Sequence, residues 1–387
     1  MRLLTQTLVL SRLGFASLGR RKWTSLVLMG SVACVIGVLL AMLSVTAGML
    51  RAYQSGEDPS LAIVLSPETN ADFGTAIPAN AVGTILDAPG IAKGSNGHPL
   101  GDPEVLVWVP PTGAYDNGSP TLRGIGAAGL ALRPSLRIVA GRQFRAGHQE
   151  VIIGVAAARA FNLKVGYTII LPGGTWPIVG MFADGGSILE SEYLGDADTL
   201  MAAGHMSGYG SVIVRLRDPG SFADFEHWLA TNPTLKVDAE RQSHYALRTV
   251  NRTSAFFTEL TYVVGVIMAL GAVLGIVKLM YAAVSVRTRE IATLRTIGYQ
   301  PVPIAIAVLL ETAALSLAGA LVGSGIAWLL CNGRHVVEMR NIFDLAVSPR
   351  LFALGVVWAL VLALIGGLSP ALRAARLPVA KALAVTN

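Results

Sequence analysis

Between positions 284 and 303 the chain reads VSVRTREIATLRTIGYQPVP, and Arg287, Arg289, Glu290 and Arg295 fall within nine residues of it. Val284, Ile291, Leu294 and Ile297 recur there at helical spacing, and Gly298 followed by Pro301 ends the pattern as a C-cap does. The segment lies between two long apolar runs, and its three arginines put it on the cytoplasmic side of a membrane. Two readings stand: a basic loop that only sets topology, or a short amphipathic helix whose charged heads dock another protein on a rigid apolar body. Helical periodicity is something the first reading does not need.

Glu311 is an ionisable group inside an apolar run, where a charge costs a few kcal/mol and needs a partner or a task. It lies about 12 Å into its span at 1.5 Å per residue, and Lys278, at a similar depth in the preceding span, is the partner expected from sequence. A proton relay or a residue facing a polar cleft are the alternatives. The acidic run from Asp184 to Asp198 lacks the residue order of an EF-hand and reads as a solvated loop, with a calcium or partner site as the other possibility. The six histidines, at 98, 148, 205, 227, 244 and 335, show no metal-ligand spacing, and Cys34 and Cys331 are too few for a disulfide framework. No G-x-S-x-G occurs, and Gly14 to Gly19 is followed by Arg20-Arg21 rather than Lys-Ser/Thr, so it is not a phosphate loop. Asn251-Arg252-Thr253 is a sequon beside a span, without functional weight. No catalytic residue, metal site or cofactor is expected on this chain.

The elements that carry these residues follow from composition. Of 387 residues, 53% are hydrophobic and 14% charged, against about a quarter charged in soluble domains; the mean hydropathy is +0.57. The net charge of +6 gathers at the ends of apolar runs (Arg20, Arg21, Lys22; Arg287, Arg289; Arg373, Arg376), which suits topology and anionic lipid and not nucleic acid. The expected order is an interfacial amphipathic helix (1–22), a first transmembrane helix (23–50), an outside domain (51–250), a second span (254–282), a cytoplasmic helix (283–301), a third span (303–331), a short outside loop (332–350), a fourth span (351–369) and a cytoplasmic tail (370–387). The first run, free of charge from Trp23 to Leu50, exceeds the ~20 residues needed to cross and is longer than a signal-peptide core. Gly271-x-x-x-Gly275 and Gly319-x-x-x-Gly323 offer small-residue faces for helix packing.

The outside domain contains two strand-helix-strand patterns. One comprises 61–66, a helix near 78–86 and 104–110; the other comprises 211–216, a helix at 219–230 and 235–240. Together they predict a ferredoxin-like α+β lobe. A β-rich insertion, about 127–205, carries strands at 150–154, 167–171 and 176–182 and a helix at 156–163.

Ser285, Arg287, Arg289, Glu290, Ile291, Leu294, Arg295, Ile297 and Gly298 match the (S/T)xRxREIxxLRxIG loop of the MacB/FtsX class of ABC transporter permeases. The tail from Ser369 to Pro378 resembles the PAxRAARLxP ending of that class, and Gly154, Ala160, Leu163, Val165, Gly166, Ile169, Val179 and Gly180 its periplasmic pattern. The resemblance spans nearly the whole chain. It implies a four-span α-helical membrane protein with an α+β periplasmic domain, in the bacterial inner membrane, both termini cytoplasmic. It implies that Arg287, Arg289, Glu290, Ile291, Leu294, Arg295 and Gly298 form a coupling helix seated on an ABC ATPase. MacB carries its ATPase on the same chain; here no Walker motif occurs, so ATP and Mg are expected on a separate ATPase subunit. A second permease, identical or not, and a periplasmic adaptor are further implied partners, and mechanotransmission the implied mode of action. Export or efflux, lipoprotein release, and FtsX-like control of a cell-wall hydrolase remain alternatives; the insertion favours the first two. A membrane-anchored receptor would leave the basic helix without a use.

Overall fold

The computed structural model describes residues 6–12, 22–55, 58–69, 71–74, 76–109, 120–338 and 341–376. Of the interfacial helix expected over 1–22, residues 6–12 are helical; Gly14, Gly19, Arg20 and Arg21 lie outside the described residues, as does the tail from Leu377. The chain divides into two compact units.

One unit comprises residues 1–47, 254–332 and 346–387. Its helices are α1 (Lys22–Gln54), the span portion Phe257–Val286 of a longer helix described below, α8 (Pro301–Cys331) and α9 (Pro349–Ala375), and all four are long and apolar enough to cross a membrane. Each turns one stripe inward. Leu28, Val32, Ile36 and Leu40 of α1, four residues apart, meet Ala272, Ile276, Met280 and Val284, together with Ile304, Val308 and Leu315 of α8 and Ala359 and Leu362 of α9. The outward faces keep large apolar side chains exposed, among them Ile267, Leu274, Leu321, Leu329 and Leu364, as bilayer contact requires. Near one end of this unit Arg373 stacks 5.1 Å above the Tyr281 ring and Tyr281 Oη lies 2.6 Å from Ser369 Oγ.

The other unit comprises residues 48–253 and 333–345. Its elements are β1 (Leu61–Leu65), β2 (Ile77–Pro78), α2 (Ala79–Leu86), β3 (Gly101–Trp108), β4 (Thr121–Ile125), β5 (Arg137–Gly141), β6 (Val151–Gly154), α3 (Val155–Ala160), β7 (Thr168–Leu171), β8 (Gly174–Ala183), β9 (Tyr193–Asp196), α4 (Ala197–Ala203), β10 (Gly208–Tyr209), β11 (Ser211–Arg215), α5 (Phe222–Thr231) and β12 (Asp238–Arg241). The helix α6 (Gln242–Val286) follows β12 and runs 45 residues without interruption. A ten-stranded sheet is ordered β12-β1-β11-β3-β4-β9-β6-β8-β5, with β7 on β8. The first four strands are mutually antiparallel and, with α2 and α5, make the ferredoxin-like lobe. All five residues of β1 are buried because both faces are covered. Ala62 and Val64 face the cluster with Ile85 and Phe225, whereas Leu61, Ile63 and Leu65 face Leu132 and Ile213.

The insertion is not a detached lobe. β4 pairs antiparallel with β3 and parallel with β9, so the inserted strands extend the same sheet. The strands β4, β5 and β9 had no signal in the sequence: Arg123 interrupts β4, and β9 falls inside the acidic run. The short outside loop expected at 332–350 contains a hairpin, β13 (His335–Glu338) with β14 (Asn341–Asp344), and its Ile342 is part of this unit's core.

Candidate coupling site

The segment after α6 breaks at Arg287, with φ −95° and ψ 8°, and restarts as α7 (Thr288–Thr296). Its end is a Schellman cap. Tyr299 N–H donates to Leu294 O at 3.1 Å and Gly298 N–H to Arg295 O at 3.2 Å, with Gly298 at φ +104°, where a side chain would be strained. Ile291 and Ala292 are buried, Leu294 and Arg295 half-buried, and Arg289, Glu290, Thr293, Thr296 and Ile297 exposed. Ile291 belongs to the core of the spans, with Leu294 and Tyr299 packed against it. The result is a short helix with its apolar side fixed and a mixed charged face presented outward.

Arg287 departs from that face. Its guanidinium Nη1 donates to Glu311 Oε2 at 2.7 Å, with only 13% and 7% of the two side chains exposed. The partner expected from sequence was Lys278, and this is corrected: Lys278 is exposed. The reason is angular. Ile276 and Met280 point inward, and Lys278 lies two residues from each, about 200° round at 3.6 residues per turn. The break at 287 returns the chain toward α8 and delivers an arginine instead.

The two glycine pairs also differ. A Cβ at Gly319 would lie 2.6 Å from Met29 O and one at Gly323 2.3 Å from Ala33 O, so both let α8 approach α1. Gly271 and Gly275 meet nothing within 4 Å, and the packing face expected there is corrected: α6 turns Ala272 and Ile276 inward, one residue further on. Gly323→Leu is therefore expected to destabilise the chain by roughly 1–3 kcal/mol or more, read as a lowered thermal midpoint in detergent, whereas Gly271→Leu leaves that midpoint within a degree or two.

In the sheet unit, four of the five carboxylates of the acidic run are buried rather than solvated; Asp198 is exposed. Asp184, Glu190, Glu192 and Asp196 are each less than a tenth exposed. Every one has work in the fold. Glu190 Oε1 accepts from Asp184 N–H and Gly186 N–H, and Asp196 caps α4 by accepting from Thr199 N–H. Glu192 holds Arg123 through Nε at 2.6 Å and Nη2 at 2.9 Å. Arg123, on β4, also reaches Glu104 on β3 at 2.9 Å and Asp72 at 3.2 Å, while Arg133 takes the other Glu104 oxygen at 2.5 Å. Tyr245, on α6, donates its hydroxyl to Asp72 Oδ1 at 2.7 Å. Sequence reasoning missed this cluster because its six members are scattered between positions 72 and 245, no two on one element.

Two residues before Glu104, Asp102 is 1% exposed and accepts from Gly126 N–H at 2.8 Å. Burial pushes its carboxyl up, the Glu104 charge adds to the effect, and the group titrates at about 7. Its folded value lies above its unfolded one, so the stability it contributes is present in acid and is lost as pH rises from about 4 through about 7. The stability advantage of the wild type over Asp102→Asn is expected to shrink by ~1.4 kcal/mol per pH unit across that window, measured as the difference of their thermal midpoints between pH 5 and 8.

Comparison with known proteins places this geometry. Residues 25–231 match the family of MacB-like periplasmic core domains and residues 262–379 the FtsX-like permease C-terminal family. A macrolide export ATP-binding/permease protein MacB from Hahella chejuensis (strain KCTC 2396) is 26% identical over 233 residues, which are 57% of this chain and 35% of that protein; the match thus spans about a third of the relative's length. The extracellular domain of the noncanonic ABC-type transporter YknZ from Gram-positive bacteria aligns with a TM-score of 0.34 and 14% identity, over 46% of this chain and 98% of that one. With the periplasmic-core match covering more than half the chain and the permease match covering its last three spans, this protein belongs to the MacB/FtsX-type family of ABC transporter permeases.

Proposed function

We propose that this chain is the membrane subunit of a bacterial inner-membrane exporter, in which an ABC ATPase docks on α7 and its ATP-driven motion is transmitted through the spans to the periplasmic domain. The carrying observation is the 2.7 Å pair between Arg287 and Glu311. It fastens the start of α7 to α8 about a third of the way along that helix, so a force on α7 is delivered to a span instead of being absorbed by a loose loop. Arg289, Glu290, Thr293, Thr296 and Ile297 form the surface offered to the ATPase. In this reading both termini and α7 are cytoplasmic, ATP and Mg are held by the ATPase, since the 387 residues contain no Walker motif, and the working assembly contains two permeases with a periplasmic adaptor. The periplasmic insertion within the ten-stranded sheet supports export or lipoprotein release over the transmitter role of FtsX-like relatives.

A photo-crosslinker at Thr293, in native membranes, tests this. An adduct with a Walker-motif ATPase is the expected product. Adducts with lipid or with this chain alone would remove the coupling reading.

A further inference from the structure

The four membrane-crossing helices are 33, 30, 31 and 27 residues long. At 1.5 Å per residue they measure about 40 to 50 Å, which is the thickness of a bilayer with its headgroups and not of the hydrocarbon core alone. Their ends therefore lie at headgroup level. At the end away from α7, every one of them carries an arginine. Arg51 stands in the last turn of α1, directly after the charge-free run that begins at Trp23. Arg252 lies on α6, five residues before the span portion opens at Phe257, and so about 7.5 Å from it along one unbroken helix. Arg334 follows the end of α8 at Cys331 by three residues, and Arg350 is the second residue of α9.

All four are exposed, and among the described residues none of the four side chains makes a hydrogen bond or an ion pair. The carboxylates near them in the chain are mostly taken. Asp58 is held by Arg215 at 3.3 Å, Glu240 by Arg248 at 2.7 Å and Asp344 by His335. Glu259, seven residues after Arg252, is exposed and leaves one unmatched carboxylate against four guanidiniums. The permanent cations of these stretches are all arginine, since no lysine occurs in 48–60, 242–256 or 332–350. Orientation does not call for them, because the bias that orients spans places basic residues at the opposite, α7 end. An exposed guanidinium at headgroup level is answered by a phosphodiester, whose two oxygens its planar fork matches. An anionic leaflet attracts each basic residue within a Debye length of it.

We propose that Arg51, Arg252, Arg334 and Arg350 hold anionic phospholipid headgroups of the leaflet at the end of the spans away from α7, each guanidinium taking a phosphodiester. Each meets its own headgroup, so no contact among the four is required. The inference rests on the four spans and not on the docking of an ATPase, so it is tested on the full chain alone. Bilayers of phosphatidylcholine would carry a trace of spin-labelled phosphatidylglycerol or of spin-labelled phosphatidylcholine. The fraction of label immobilised by the protein, read by electron spin resonance, gives the relative affinity. The wild type is expected to prefer phosphatidylglycerol at least threefold, and about 0.5 M salt should reduce that preference. Changing all four arginines to Gln should lower it at least twofold. Changing them to Lys should lower it less, because the charge stays and the fork is lost. Inorganic phosphate should displace no more lipid than chloride does at equal ionic strength. Should the Gln set fail to fold, judged by its thermal midpoint, Arg334→Gln with Arg350→Gln decides, and no loss of preference in that pair overturns the proposal. Equal affinity of the wild type for the two lipids would overturn it. So would an unchanged preference in the folded Gln variant, which would assign the lipid to the α7 end, or displacement by phosphate ahead of chloride, which would mark a site for a free anion.

Discussion

Glu311→Arg and Arg287→Glu are each expected to cost roughly 3–5 kcal/mol, as breaking a buried ion pair does, and the double variant to recover most of that loss. Either single reversal leaves two like charges where a 2.7 Å pair was, in a site where Glu311 is 5% exposed. Neither charge can escape easily, because Glu311 lies eleven residues into α8 counted from Pro301, and Arg287 is the only residue between α6 and α7. The measurement is the yield and thermal midpoint of the full chain extracted in detergent. Lys278→Leu serves as the control and should change little, since Lys278 is on the outward face of α6 and takes no part in the pair. A double variant as poor as either single would mean that the two residues act separately. The pair also makes a functional forecast: a variant that folds but lacks it, such as Glu311→Gln with Arg287→Gln, should leave α7 able to bind an ATPase while ATP-driven change in the periplasmic domain is lost.

The second large effect is expected at Arg123. Replacing it with Met removes one guanidinium that satisfies Glu192 twice, Glu104 once and Asp72 once. The stranded carboxylates remain buried, and a loss above ~4 kcal/mol follows from the cost of one uncompensated buried charge. Burial alone would raise the Glu104 carboxyl; the charges of Arg133 and Arg123 outweigh it and hold the group below the usual carboxylate range. Arg123→Lys should rescue little, because an ammonium cannot span three carboxylates with a planar fork. The readout is thermal unfolding followed by intrinsic tryptophan emission, to which Trp176, fully buried in the same unit, contributes. Near-native unfolding of Arg123→Met would show that the carboxylates repack or find water. If the clamp is as placed, its loss loosens β3 from β4 and β9, and so the ferredoxin-like strands from the inserted ones.

Much of this protein is legible along the chain because its determinants are local. Four runs poor in charge and longer than the bilayer require become four span-length helices whatever surrounds them. The two strand-helix-strand patterns needed only their alternation of apolar residues and turn residues to announce the ferredoxin-like lobe. The end of α7 was written into Gly298, since a left-handed residue closing a helix is a property of six consecutive residues.

What the tertiary structure alone decided is who meets whom. Glu311 announces a need for a cation, but choosing Arg287 over Lys278 depends on the helical phase of α6 and the break that follows it. The run from Asp184 to Asp198 has the composition of a solvated loop and instead buries four of its five carboxylates in turn bonds, one helix cap and an arginine clamp, because Arg123 arrives from β4 sixty-nine residues before Glu192. The strands β4, β5 and β9 and the core role of Ile342 were silent for the same reason. Local pattern sets what a segment can be, whereas pairing across long stretches of chain is a competition among distant partners that close packing settles only once the sheet is assembled.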